Sequence, residues 1–460
     1  MSGRAAGRAR RRRPADRPPR DPRRGPDALR DACPCPRRPG PRTLPDAGLP
    51  ARGCGDAAPR HGDDDVDRSR TAEVLLLGDL DVATPLRAAG TPVTVIRRPD
   101  DPARHTRIGV RFLARPDDEQ DLVRLLVAEA GRAGRPTVLL VQDDHDLALV
   151  SRHRDQLGEH LALALPAHDR VTELLDKAAF QRLADAHGLP VPAAQELPTE
   201  AAAWRRELRL PTPLLLKPLV RHADRSADRF GSGKALLVQD EAQLAATLAD
   251  LAPIYGSVLA QQHVPGPEST IETYHAHVAA DGTVLAEFTG RKLRTSPATF
   301  GYSTALVTTD AADTRALGRE VVDRLAVRGP VKVDLKRGPD GRLWLLEVNA
   351  RSNLWHRLGA VAGCDLPAVA VADLTGAPLP AARTARPGVT WSLQPRDLFV
   401  ALAAGESLVG YLRWLRRCDA VSGFRLRDPG PFLRGTLPAT ARRSATRGAP
   451  PVAAARTGNA

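Results

Sequence analysis

Between Val331 and Asn349 the chain reads VKVDLKRGPDGRLWLLEVN, two strand-like runs around a Gly-Pro-Asp-Gly turn. Alternate residues of a strand share a face, so Lys332 and Asp334 point one way and Val331, Val333 and Leu335 the other. On the return strand Leu345, Glu347 and Asn349 share a face, and Trp344, Leu346 and Val348 take the opposite one. A simple turn at Pro339-Asp340 brings the two polar sets to the same side. Such a ribbon belongs to a sheet that buries one face and turns an amine, two acids and an amide toward something polar.

The rest of the chain supplies that sheet. AEVLLLGDL (72–80), PVTVIRRP, VRFLARP and PTVLLVQ (136–142) read as strands, with a helix over EQDLVRLLVAEAGRAG. Strands alternating with helices predict a parallel α/β domain, placed at 72–168. Gly78 lies at a strand–turn–helix junction, but no G-x-G-x-x-G follows, so a dinucleotide site is not expected. VTELLDKAAFQRLADAHGLPVP (171–192) is an amphipathic helix closed by Gly188 and Pro190. PLLLKPL, a polar glycine loop, ALLVQD, a helix and SVLAQQHVPG then make an α+β unit over 169–264. ESTIETYHAHVAADGTVLAEFTGRKLR predicts a hairpin around Asp281-Gly282. With the opening ribbon it forms a further unit over 265–376, and an accessory segment with one weak helix covers 377–433. The expected class is thus α/β and α+β, an N-terminal parallel domain followed by a two-lobed unit.

The ends differ in kind. Residues 1–70 hold 18 Arg against 10 Asp, and 434–460 hold five Arg and no acid. Together they account for the whole net charge of +13 and leave 71–433 neutral. Both ends lack apolar periodicity and are expected to be disordered. A basic groove on the folded part is not indicated, so nucleic acid is not an expected partner. Arms of this kind can bind RNA, and an RNA-binding role through them is the alternative from outside enzymology. No apolar run of signal-peptide or membrane-spanning length is seen, and no membrane partner is expected. Three of the five cysteines fall in the N-terminal arm, where Cys33-Pro-Cys35 lacks a complementary pair. Disulfides are not needed, and a cytoplasmic location is expected. The chain uses 61 Arg but only six Lys, all between Lys177 and Lys336. A slim ammonium where guanidinium is the habit points to sites that need a compact charge.

FGSGKA (230–235) resembles part of a phosphate loop, although Asp228 stands where a Walker glycine belongs and Ala235 replaces the metal-binding hydroxyl. Its backbone N–H groups can still close over phosphates; the alternative is a plain hairpin loop. Lys217 ends an apolar strand, where an unpaired ammonium is costly to bury, so an anion is expected beside it. Lys177 alone is an ordinary helix-surface lysine. Asp334, Glu347 and Asn349 offer three hard oxygen ligands, the donor set magnesium favours when substrate phosphates complete its shell. The alternative there is a solvated, salt-bridged hairpin face.

With these motifs in this order, residues 72–376 resemble the ATP-grasp superfamily, in the carboxylate–amine ligase form of D-aspartate-ligase-like and carbamoyl-phosphate-synthase-like members. The resemblance implies ATP and Mg2+, with Mn2+ as a substitute. It places Asp334, Glu347 and Asn349 at the metal-ligand positions, and Lys332 and Arg351 beside the transferring phosphoryl group. Lys177 and Lys217 match the two phosphate-holding lysines, and Gly231, Ser232, Gly233 and Lys234 the mobile phosphate loop. Gln261, where Glu is usual, Gln262 and Val264 match the hinge that holds adenine, and Glu268 the ribose-binding acid. Arg291, Lys292 and Arg294 are similar to a stretch that serves as an anion site for substrate; the alternative is a solvated basic strand.

The resemblance implies activation of a carboxylate as an acylphosphate and its capture by an amine, both small molecules. The alternatives are a bicarbonate-activating carboxylase or carbamoyl-phosphate-type enzyme, and a nucleotide-binding protein without catalysis. No biotin-carrier Met-Lys-Met and no second synthetase half is present. Neither the substrates nor the oligomeric state can be read from the sequence.

Overall fold

A computed structural model describes residues 72–219 and 235–436. Four strands, β1 (Glu73–Leu77), β2 (Val93–Arg97), β3 (Arg111–Ala114) and β4 (Thr137–Val141), form a parallel sheet in the order β3-β2-β1-β4. The run EVLLL of β1 is buried along its whole length, as a strand covered on both faces must be. Asp79 caps the helix that follows, Leu80–Ala88, by accepting from the Asp81 N–H. The strands read from this part of the sequence thus form one parallel sheet.

A second sheet joins β5 (Ala194–Pro198), β6 (Leu214–Pro218), β7 (Leu236–Val238) and β8 (Ser257–Gln262), antiparallel throughout, in the order β5-β8-β6-β7. Period-two alternation divides its faces. Leu214, Leu216, Val258 and Ala260 pack with Trp204, Leu244 and Leu248 from the helices Ala201–Glu207 and Glu241–Leu251. Leu215, Lys217 and Gln261 therefore emerge on the other face.

The third sheet has seven strands: β9 (Ile271–Val278), β10 (Val284–Ser296), β11 (Tyr302–Thr309), β12 (Gly329–Arg337), β13 (Leu343–Asn349), β14 (Thr390–Gln394) and β15 (Ala420–Gly423). Their order is β13-β12-β9-β10-β11-β14-β15, so the segment 377–433 extends this sheet by two strands. The helix Ala312–Arg324 lies close on β9, where a side chain at Gly318 would collide with the Tyr274 ring. Val331, Val333 and Leu335 of β12 join one apolar core with Leu75 and Leu77 of the first sheet.

Across β12 and β13 the register sets Lys332 opposite Asn349 and Asp334 opposite Glu347, as alternation requires. The ladder then slips, pairing Leu335 with Leu345 and leaving Leu346 as the extra residue of a β-bulge. The expected faces of Leu345 and Leu346 are thereby exchanged. Leu345 is fully buried in the core, while Leu346 turns to the face that carries the acids. No single described helix is long and apolar enough to cross a membrane. The bent pair Trp355–Val361 and Leu366–Thr375 meets the test only jointly, and its apolar side chains pack into a core.

Candidate functional site

The free face of the second sheet and the acidic face of β12–β13 enclose a cleft of about 670 Å³, its open mouth included. Lys217, Gln261, Gln262, Val264 and Glu268 line it, as do Lys292, Asp334 and Glu347. Local pattern explains these positions. Lys217 lies two residues beyond Leu215 on β6, and Gln261 is directly opposite Leu215 on β8. The Lys217 ammonium donates to Gln261 Oε1 at 2.7 Å, and the Gln261 amide reaches Gln181 Oε1 at 3.5 Å.

On the opposite wall Lys332 Nζ donates to Asp334 Oδ2 at 2.7 Å. Asp334 is only 3% exposed, and among the described residues its Oδ1 has no hydrogen-bond partner. A buried, unmatched carboxylate oxygen facing Glu347 suits a hard cation. Among the described residues no three His, Cys, Asp or Glu side chains form a ready metal cluster. The donors here are two carboxylates and an amide, which fits a metal whose remaining ligands come from phosphate and water.

Asn349 continues the acidic face, and its Oδ1 accepts from Arg351 Nη2 at 3.1 Å. Arg351 also pairs through Nε with Asp144 Oδ1 at 2.5 Å, at the start of the helix Asp144–Arg152. Burial opposes its charge, but Asp144 and then Glu347 outweigh that and hold the guanidinium above its ordinary pKa. The Ser352 N–H bonds to the Val141 carbonyl at the end of β4, at 2.9 Å. The exit of β13 is thus fastened to the carboxyl end of the first sheet.

Lys177 opens the helix Lys177–Ala186 and donates to the carbonyl of Pro218 at 2.9 Å, beside Lys217. Gly231, Ser232, Gly233 and Lys234 lie outside the described residues. The basic trio of β10 is split by geometry. Lys292 is 6% exposed and lines the cleft, whereas Arg291 is exposed on the other face. Arg294 is held by a two-bond contact with buried Asp397, both bonds at 2.8 Å, and stacks on Trp414.

Several cleft residues escaped the sequence reading. Leu215 and Lys336 were legible by alternation, two residues from Lys217 and Asp334. Leu346 was hidden by the bulge, and Pro192, Ile271, Phe300 and Gly301 carry no local signal. Lys336 is 5% exposed, and burial pulls its pKa below the usual lysine value, partly offset by Glu268. His263 is lowered too, by burial and by Lys336. His275, across from Lys332, is driven well below the ordinary histidine range by burial and then by Lys332, so it is neutral.

No family model matches the chain. Three solved structures share its fold. N5-carboxyaminoimidazole ribonucleotide synthetase in its ADP complex superimposes with a TM-score of 0.53 at 14% identity, covering 70% of this chain and 80% of that one. The L-amino acid ligase from Bacillus licheniformis gives 0.52 at 16%, covering 70% and 78%. Biotin carboxylase from Campylobacter jejuni gives 0.54 at 11%, covering 70% and 75%. At 11–16% identity the likeness is one of fold. In sequence the chain is similar to D-aspartate ligase of Enterococcus faecium (strain Aus0004), 22% identical over 240 residues, 50% of this chain and 57% of that protein. It is also similar to D-alanine–D-alanine ligase of Stutzerimonas stutzeri (strain A1501), 26% identical over 179 residues, 38% and 54%. The chain spans about half the length of the curated relatives it matches.

Proposed function

We propose that this chain is an ATP- and magnesium-dependent ligase that joins a small carboxylate to an amine through a C–N bond. One observation carries the reading: Asp334 and Glu347 face each other on the floor of a cleft whose roof presents Lys217 and Gln261. The sequence likeness to two ligases that act on amino acids supports it.

A carboxylate oxygen attacks the γ-phosphorus of ATP, the bond to the bridging oxygen breaks, and ADP leaves. The amine then attacks the acyl carbon, expels phosphate and gives up a proton. Such transfers depend on positioning and electrostatics. Gln262 and Val264 offer hinge backbone to the base, with Gln261 as its side-chain partner, and Glu268 holds the ribose. Lys177, Lys217 and the loop from Gly231 through Ser232 and Gly233 to Lys234 hold phosphates. Asp334, Glu347 and Asn349 hold magnesium, which when bound neutralises charge on the phosphate oxygens. Lys332 keeps Asp334 oriented, and Arg351 does the same for Asn349 while contributing positive charge near the transferring group. Lys292 is the cation of its stretch best placed for the acid substrate.

The test is ADP formation by the purified protein with Mg·ATP, supplied with pools of carboxylates (D- and L-amino acids included), amines, or both. Turnover that requires both pools is expected. Turnover driven by bicarbonate alone would replace this reading with the carboxylase type. Nucleotide binding without turnover in any pool would favour a non-catalytic role.

A further inference from the structure

Asp397 is fully buried, and among the described residues five hydrogen bonds converge on its carboxylate. Arg294 of β10 donates twice, at 2.8 Å each, and Thr304 of β11 once, at 2.9 Å. Ser392 of β14 adds one at 2.9 Å, and Tyr411 of the helix Leu408–Leu415 one at 3.0 Å. A carboxylate has about four lone-pair sites, so none is left for a ligand. Packing alone is served as well by apolar side chains, since a buried ion pair often adds no stability over them. What the charges add is geometry, because a two-bond guanidinium–carboxylate contact fixes angle as well as distance. Trp414 completes the grip, its ring centre 4.2 Å from the Arg294 guanidinium.

The strands held in this way are irregular. Lys292 pairs with Leu306, Arg294 with Ala305 and Thr295 with Ser303, which makes Leu293 an extra residue on β10 and Thr304 one on β11. Just beyond, the connection between the two strands folds back on itself. Thr295 Oγ1 donates to the Ala298 carbonyl at 2.9 Å, and a side chain at Gly301 would collide with the Pro297 carbonyl. Phe300 has a φ of 55°, a left-handed backbone that a bulky residue keeps only where its surroundings hold it. Phe300 and Gly301 line the cleft, as does Lys292 on the strand before, whereas neither Asp397 nor Arg294 lines it. From outside the cleft, Asp397 therefore grips both strands at the foot of a strained turn that forms part of its wall.

We propose that Asp397 is a positioning residue: through Arg294 and Thr304 it fixes the Phe300–Gly301 turn in place for nucleotide binding, which makes segment 377–433 part of the binding machinery. The inference rests on the nucleotide reading of the cleft. Three measurements on the full chain test it in wild type, Asp397→Asn and Arg294→Lys: calorimetric titration with Mg·ATP, hydrogen exchange over residues 295–301, and the melting temperature. Each substitution removes the two-bond contact and leaves every cleft side chain unchanged. A turn that holds its bound position only about one-tenth of the time weakens apparent affinity about 10-fold. The Kd should rise by about that factor in either variant, with faster exchange over 295–301 and unchanged exchange over β1. If Asp397→Asn fails to fold, Arg294→Lys decides by the same criteria. A folded variant with a lowered melting temperature, but with Kd and exchange over 295–301 at wild-type values, overturns the role of Asp397 and leaves the nucleotide site standing. Failure of wild type to bind Mg·ATP overturns the nucleotide reading and this proposal with it.

Discussion

Lys217 donates to Oε1 of Gln261 across the β6–β8 pair at 2.7 Å, so the residue standing where the resemblance leads one to expect an acid holds a cleft lysine in place. An amide oxygen has two acceptor sites, and Lys217 uses one of them.

Lys217→Met removes the ammonium charge and keeps the bulk of the stem. Its neighbours Leu216 and Leu214 stay in the core of the second sheet, so the fold should survive. A charged hydrogen bond contributes about 1.5–3 kcal/mol, and Mg·ATP affinity should fall about 10- to 100-fold. Calorimetry giving an unchanged Kd would remove Lys217 from the phosphate site.

Glu347→Gln leaves a neutral oxygen opposite Asp334. Turnover should fall to near background while the melting temperature stays within a few degrees of wild type, because Glu347 faces the cleft and not the core. Retained turnover with the same magnesium requirement would refute metal ligation.

Arg351 bridges Asp144 and Asn349. A lysine cannot reach both partners with a planar fork, so Arg351→Lys should lower kcat by about 10²-fold and raise the magnesium concentration needed for half-maximal rate. Asp144→Asn, which weakens only one side of the bridge, should shift the magnesium dependence less. If Arg351→Lys lowers the melting temperature but leaves kcat and magnesium dependence of the folded protein intact, the guanidinium only ties β13 to the first sheet.

Asp365 caps the helix Leu366–Thr375, accepting from the Ala368 N–H, and burial raises its pKa to about 6. Its native form therefore binds a proton between about pH 4 and pH 6 that the unfolded chain has released. Its contribution to stability is fully present below pH 4 and is lost as pH rises through 6. Asp365→Asn keeps a good cap without a charge to bury. Its melting temperature should exceed wild type by roughly 2–5 °C at pH 7.5, and the difference should close toward pH 4. A pH-independent difference would sink this account.

Local chemistry already determined much of this protein. Alternation placed Lys332 and Asp334 with Glu347 and Asn349, because side-chain direction along a strand repeats every two residues. The same rule set Lys217 apart from Leu214 and Leu216. Order and spacing of short motifs identified the ATP-grasp resemblance. What escaped depends on contacts that no local rule contains. The slip at Leu346 arises where β12 and β13 adjust their pairing, and it exchanged the faces of two leucines. Arg294 was drawn from the expected anion site to Asp397, 103 residues later, and Arg351 to Asp144, 207 residues earlier. A long charged side chain goes to whichever opposite charge the tertiary fold sets within its reach, and only packing of the three sheets decides which one that is.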